Sequence, residues 1–266
     1  MNDKTTTPSR RLTWPLFLLV TVVYVAIIQG VGLLVGVDTG DSDSQFPTTE
    51  SIVRNALIPI GLSIVFGVAV ATWLGWWGEI LRDDRPVAPW VRRVPITMLV
   101  AAVIGINYIH LADQTVGLVL CLILLGVFVG VGEELMFRGI GVVAFRRAGF
   151  TEGRVALWSS VVFGLVHVSN AIGQGPQAFA QAAIVSTSGY LFYLGRRAGG
   201  TILLPMLVHG LWDFSLISSL VGPDVTAYPG MAVVILAQIG LIIVLVRRRH
   251  RIELPPDRQA VLPAVA

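Results

Sequence analysis

Residues 116–147 read VGLVLCLILLGVFVGVGEELMFRGIGVVAFRR, and this stretch decides the fold. From Val116 to Gly132 it holds no charged side chain, a length of helix approaching the roughly 30 Å hydrocarbon core of a bilayer. Glu133, Glu134 and Arg138 then interrupt it with no proline or turn signal, and apolar sequence resumes through Phe145. The segment reads as a membrane helix that keeps ionisable groups inside itself. Such groups cost several kcal/mol in lipid and need a partner or a purpose.

The rest of the 266 residues agree with that solvent. The chain is 55% apolar and only 13% charged, where a soluble domain has roughly a quarter, and its mean hydropathy is +0.77. Apolar runs between charged or Pro/Gly-rich breaks predict helices near 13–36, 52–77, 94–111, 116–147, 153–171, 177–195, 201–220 and 229–246. The fold class is therefore all-α, a polytopic bundle of about eight transmembrane helices. Residues 1–251 form a single bundle with its core of chemistry at about 118–220, and residues 252–266 form a disordered tail. The first apolar run, 12–37, is too long for a signal-peptide core and stays as a span. Cys121 is the lone cysteine, which excludes an intrachain disulfide and a cysteine-based zinc site.

The 19 Lys and Arg set the topology. Lys4, Arg10 and Arg11 precede the first helix; Arg82, Arg85, Arg92 and Arg93 follow the second. Arg146, Arg147 and Arg154 flank the turn around Gly149, then come Arg196 and Arg197, and finally Arg247, Arg248, Arg249, Arg251 and Arg258. An even number of crossings puts all of these on one side, with Arg54 opposite and Arg138 inside a span. The opposite loops carry Asp38, Asp41, Asp43, Glu50, Asp113 and Asp224. By the positive-inside rule this is a multi-pass protein of the cell membrane with both termini cytoplasmic. The net charge of +3 and pI of about 9.4 thus reflect topology rather than a phosphate-binding face, and no nucleic-acid partner is expected.

Three patterns carry chemistry: Glu133-Glu134-x-x-x-Arg138, Phe163-x-x-x-His167 and His209-x-x-x-Asp213. Glu134 and Arg138, four apart, share a helix face and can pair, while Glu133 is turned about 100° away as a working carboxylate. Glu133 and His167 stand symmetrically about Gly149-Phe150-Thr151, which places them at similar depth. A carboxylate and a histidine converging on water can do acid/base hydrolysis. A second histidine, its tautomer fixed by Asp213, can donate to an oxyanion. Glu133, His167 and His209 equally suit zinc, with water in the open position, so zinc is the cofactor if a metal is used. His110, near Asp113, reads as interfacial. Gly126, Gly130, Gly132 and Gly139 read as sites of close helix approach.

At these residues, over about 118–220, the sequence resembles the CPBP family of intramembrane proteases, which includes type II CAAX prenyl endopeptidases and bacteriocin-immunity relatives. The resemblance implies an eight-helix bundle and a site open to the cytoplasm. It also implies an endopeptidase in which Glu133 and His167 activate water, His209 and residue 213 stabilise the oxyanion, and Glu134, Arg138 and Phe163 support them. Many relatives carry Asn where this chain has Asp213, and an anionic side chain there is a poorer oxyanion donor. The expected partners are the lipid bilayer and a membrane-associated or lipidated protein or peptide substrate. Two other classes use the same residues: a proton- or ion-coupled transporter, for which no inverted repeat or paired broken helices are visible, and a catalytically inactive immunity or scaffold protein.

Overall fold

The computed structural model describes residues 10–40 and 42–253; Lys4, Asp41, Arg258 and all of the expected tail but its first two residues lie outside them. The described chain runs through eight long helices: α1 (Trp14–Val35), α2 (Thr49–Leu74), α3 (Pro89–Gly105), α4 (Val116–Arg147), α5 (Glu152–Val166), α6 (Gln177–Gly199), α7 (Leu203–Ile217) and α8 (Gly230–Arg248). Among the described residues there is no strand, and β pairing is limited to isolated bridges between connections. All eight helical runs expected from hydropathy are present, and the fold is an all-α membrane bundle.

α1, α2, α4, α8 and α5 with its extension to Gly173 are each long and apolar enough to cross a membrane unaided. α3 and α7 are shorter, with 17 and 15 residues, and α6 is more polar. α6 and α7 carry the polar side chains the bundle encloses, so neighbouring helices rather than lipid cover them. The short helix Tyr108–Ala112 covers residues that hydropathy merges into the run 94–111, and a second one, Trp77–Leu81, begins where the run 52–77 ends.

Local chemistry sets the helix ends. Pro15 and Pro89 sit in first turns, where a missing N–H costs nothing, whereas Pro59 lies inside α2 just after its π segment Val53–Leu57. The Thr115 hydroxyl caps α4 by accepting from Leu118 N at 3.3 Å. Gly149, at φ +81°, makes the turn between α4 and α5, a backbone geometry that side chains with a Cβ rarely adopt. Two wide π turns interrupt the α geometry, Val53–Leu57 in α2 and Glu134–Gly141 in α4, the second beginning at the paired glutamates.

α4 and α7 approach backbone to backbone. A Cβ on Gly126 would lie 2.8 Å from the Gly210 carbonyl oxygen, one on Gly210 would lie 2.5 Å from Gly126 O, and one on Gly130 would strike Met206 O. This glycine seam brings Glu134, one turn beyond Gly130, within reach of His209. Gly132 instead faces α1 and α2, where Tyr24, Ile60 and Ile64 crowd it.

The two ends of the bundle are chemically distinct. At one end, Asp83 Oδ2 accepts from Arg146 Nη2 at 2.7 Å and Arg196 Nε at 3.2 Å, and Arg197 Nε lies 3.6 Å from Asp83 Oδ1. Glu152 joins them through Arg146 at 2.8 Å, Arg197 at 3.1 Å and Arg85, and Glu79 binds Arg147. Both described chain ends sit here: Trp76 Nε1 donates to Arg10 O at 3.2 Å, and Ala88 N donates to Ile252 O at 2.8 Å. Ile252 and Glu253, expected to open the tail, are thus tied to the bundle. The other end uses neutral bonds: Ser44 Oγ and Gln45 N to Leu220 O, and Asn107 Nδ2 to Ser219 and Thr226. The grouping of the basic loops at one end is what an even number of crossings requires. Trp76 and Trp90 are packing residues whose ring N–H groups are spent on backbone oxygens, whereas Trp14 and Trp73 are exposed.

Two expectations follow. Gly130→Ala lowers stability in detergent by about 1–3 kcal/mol because the methyl group meets backbone that cannot yield. Gly240→Ala, where a Cβ meets nothing within 4 Å, stays within about 0.5 kcal/mol of the parent; thermal unfolding of the pair checks the seam. At the basic end, burial raises the Asp83 carboxyl, but Arg146, Arg196 and Arg197 hold it below the usual carboxylate range. A depressed folded-state pKa stabilises wherever the unfolded carboxyl is ionised, above about pH 4, and that contribution is lost as pH falls through the folded value. Unfolding temperature is therefore expected to drop on acidification below about pH 4. Asp83→Asn should lower it at neutral pH and flatten that acid limb.

Candidate active site

Glu134 and Arg138 lie on one face of α4, both 0% exposed, with Arg138 Nη1 at 2.9 Å from Glu134 Oε1. The same carboxylate oxygen accepts from His209 Nδ1 of α7 at 2.8 Å. A carboxylate can only accept, so Nδ1 carries the proton, and the ring's tautomer and tilt are fixed. One buried anion thus serves two cationic or donor partners from two helices, which offsets part of its desolvation.

Aromatic rings seal this pair. The Arg138 guanidinium sits 4.0 Å from the centroid of Phe163, and the His209 ring stacks on Phe192 at 4.2 Å with an interplanar angle of 18°. Phe163 meets His209 and His167 edge-on at 5.6 and 5.1 Å, so a single ring of α5 touches Arg138 and both histidines. Gly189 of α6 makes the space: a Cβ there would lie 2.8 Å from both Arg138 Nη2 and Phe163.

In front of this buried layer stands a partly exposed one. His209 Nε2 lies 3.6 Å from Glu133 Oε2 and 3.6 Å from Asp213 Oδ2. Glu133 and Asp213 side chains are 17% and 27% exposed against 3% for His209. Glu133 also lies in the electrostatic field of His167. His167 donates Nδ1–H to Phe163 O at 2.9 Å, so Nε2 is the ring nitrogen not spent on that bond. At His167 helix α5 tightens into a 3-10 turn, His167–Asn170, rather than continuing as a regular helix. Polar side chains fasten that turn on both sides. Gln29 of α1 donates to Ser169 Oγ at 2.9 Å and Asn170 Oδ1 at 3.3 Å, and Asn170 donates to Gln181 of α6 at 3.0 Å.

All seven residues nominated from sequence fall in this one region. The order within it differs in one respect: the bond that holds the His209 tautomer comes from Glu134, not Asp213, because Glu134 reaches Nδ1 while Asp213 faces the opposite edge of the ring. Glu133 and His209 are close enough to share an ion, but His167 does not complete the set. Among the described residues no group of three or more His, Cys, Asp or Glu is arranged to hold a metal. His110, expected near the interface, sits at the neutral end of the bundle, packed by protein at 6% exposure with Nε2 at 2.8 Å from Val221 O. Sequence reading passed over Gln29, Asn170 and Gln181; amides inside otherwise apolar helices were the available signal. It also passed over Tyr24, whose ring lies edge-on to Phe137 at 6.2 Å.

Removing Arg138 should expose the debt this arrangement carries. Arg138→Met leaves Glu134 buried with one partner fewer and is expected to cost about 3–5 kcal/mol in thermal or denaturant unfolding. Glu133→Gln, at the partly exposed edge, should leave unfolding almost unchanged.

Comparison with known proteins bears on the same segment. The family described as type II CAAX prenyl endopeptidase, Rce1-like, matches residues 115–215, a span that contains Glu133, Glu134, Arg138, Phe163, His167, His209 and Asp213. No curated protein and no solved structure matches the chain. The three motifs are drawn together inside that span, in a helical membrane bundle, and the match over that segment supports assignment to the CPBP family of CAAX protease-like membrane proteins.

Proposed function

We propose that the protein is an intramembrane endopeptidase that hydrolyses a peptide bond of a membrane-associated or lipidated protein through water activated by Glu133 and His167. The observation that carries this reading is the two-layer geometry. A buried Glu134–Arg138–His209 unit fixes an imidazole, and partly exposed Glu133 and Asp213 stand 3.6 Å from its Nε2.

In this mechanism Glu133 accepts a proton from water as the water oxygen attacks the scissile carbonyl carbon, with the His167 Nε2 lone pair orienting the water's other hydrogen. The carbonyl oxygen becomes an oxyanion. His209, its Nδ1 committed to Glu134, donates from Nε2 as an imidazolium to that oxygen. Glu133 then returns its proton to the departing amide nitrogen, the C–N bond breaks, and a carboxylate and an amine leave. A zinc-assisted version would require His167 to move in beside Glu133 and His209.

With the basic end taken as cytoplasmic on the positive-inside rule, the substrate enters from that side with its anchor in the bilayer. A membrane anchor confines the substrate to the plane of the enzyme and presents its peptide at the depth of Glu133.

The test uses purified protein in proteoliposomes and quenched fluorescent peptides ending in a CaaX sequence, one farnesylated and one not. The parent is expected to cut the farnesylated peptide, and Glu133→Gln to lower kcat by about 10²-fold or more with unfolding unchanged. Failure of the parent to cut either peptide, or full turnover by Glu133→Gln, would sink the assignment.

A further inference from the structure

Tyr24 lies on α1, outside the segment matched to the family, yet its ring is 1% exposed and its O–H is given, among the described residues, to no acceptor that meets hydrogen-bond geometry; Ser63 of α2 stands beside it but spends its own proton on Ile60 O at 2.7 Å. An orphan hydroxyl at that depth is costly, and in a membrane span the cost is higher because no lipid group can satisfy it. Its position is not arbitrary. Phe17, Thr21 and Tyr24 form the buried stripe of α1, and the stripe runs along α4, with Phe17 against Gly141 and Tyr24 against Phe137 and Gly132.

Gly132 fixes the register. A Cβ on that residue would lie 3.0 Å from the Tyr24 hydroxyl, so the phenol occupies the space a side chain would fill immediately before Glu133. Around the α4 axis, Gly126, Gly130 and Glu134 face α7 and Gly132 faces α1. At about 100° per residue, Glu133 projects into the gap between these two directions. Tyr24 therefore flanks Glu133 on one side as His209 and Asp213 flank it on the other. Glu133 Oε2 is itself a buried oxygen without a hydrogen-bond donor, and its charge reaches the phenol. α1 is not free to drift from this place, since Gln29 ties it to the 3-10 turn that begins at His167.

The donor balance of the site is uneven. Asp213 as a carboxylate accepts and cannot donate, and His209 has one ring nitrogen spent on Glu134. A tetrahedral oxyanion flanked by Glu133 and Asp213 needs more than one donor to be held. We propose that Tyr24 is a catalytic residue whose O–H donates a hydrogen bond to the scissile carbonyl oxygen as it becomes an oxyanion, opposite His209. No bond to Tyr24 forms or breaks, and the phenol keeps its proton through the cycle. This rests on the endopeptidase reading above.

Tyr24→Phe deletes the hydroxyl and keeps the ring. With the farnesylated quenched peptide in proteoliposomes, kcat is expected to fall by about 10²-fold with KM unchanged. The unfolding temperature should hold or rise, since an unpaired buried hydroxyl is gone. Asp213→Asn supplies an amide donor at the opposite wall, so the Tyr24→Phe/Asp213→Asn pair should recover part of that loss. Parental kcat in Tyr24→Phe, beside an inactive Glu133→Gln, overturns the proposal and leaves the endopeptidase reading standing; activity surviving in Glu133→Gln overturns the reading itself. If Tyr24→Phe unfolds, 3-fluorotyrosine at position 24 decides. It is nearly the same size and a stronger hydrogen-bond donor, so kcat at neutral pH should change from the parental value, and an unchanged kcat refutes the donor role.

Discussion

The structure depends on one buried carboxylate, Glu134, held between Arg138 on its own helix and His209 on α7. Lipid offers these three groups no hydrogen bonds, so their protein contacts and the aromatic ring over Arg138 must offset the cost of burying them. That requirement propagates outward. Glu134 reaches His209 because Gly126, Gly130 and Gly210 let α4 and α7 touch backbone to backbone, and Arg138 fits because Gly189 leaves it room under Phe163. The aromatic cover of Phe163 and Phe192 excludes lipid and water from the pair, which strengthens the electrostatic attraction within it. Glycines, which in a soluble helix would weaken it, are here the condition for the polar core to form.

Much of this was legible in the sequence because it is local or topological. The eight helices follow from apolar runs and their breaks, and the grouping of basic loops follows from where Arg residues fall relative to an even count of crossings. The Glu134–Arg138 pair follows from a spacing of four, and the close-approach role of Gly126, Gly130, Gly132 and Gly139 from their place in one apolar helix. What was not legible depends on reach and rotation across helices. Spacing puts Asp213 on the same face of α7 as His209 and so suggested it as the tautomer's anchor, yet the ring nitrogen that matters points to another helix. The 3-10 turn at His167 leaves no proline or glycine at its start to announce it. Tyr24 in an apolar helix reads as packing until its hydroxyl is seen to lack a partner beside Glu133.

The two ends of the bundle divide the work of holding it together. The basic end is clasped by Asp83 and Glu152, each shared among several arginines, so that loops after α2, α4 and α6 and the chain beyond α8 converge on two carboxylates. The opposite end relies on neutral hydrogen bonds such as that of His110 to Val221 O. Between them the site has a rigid back, where every ring is packed, and a front where Glu133 and Asp213 keep partial exposure. A hydrolytic site needs that contrast, because the base must meet water while the groups that set its geometry must not move.

The charge on the front wall also constrains what chemistry it supports. Glu133 and Asp213 flank one imidazole nitrogen with two acceptors, an arrangement well made to take protons and poorly made to give hydrogen bonds. A developing oxyanion placed there would meet two like charges, and preorganised donors are what make such a site favour the transition state over the ground state. In the proposed reaction His209 supplies one such donor from the α7 side, and its bond to Glu134 holds the ring in place as charge develops. A second must come from a direction the two carboxylates do not occupy, and in the gap around Glu133 that direction is α1. For the proposed reaction, the helix outside the family segment is therefore the one that lies where the motifs leave the donor set incomplete.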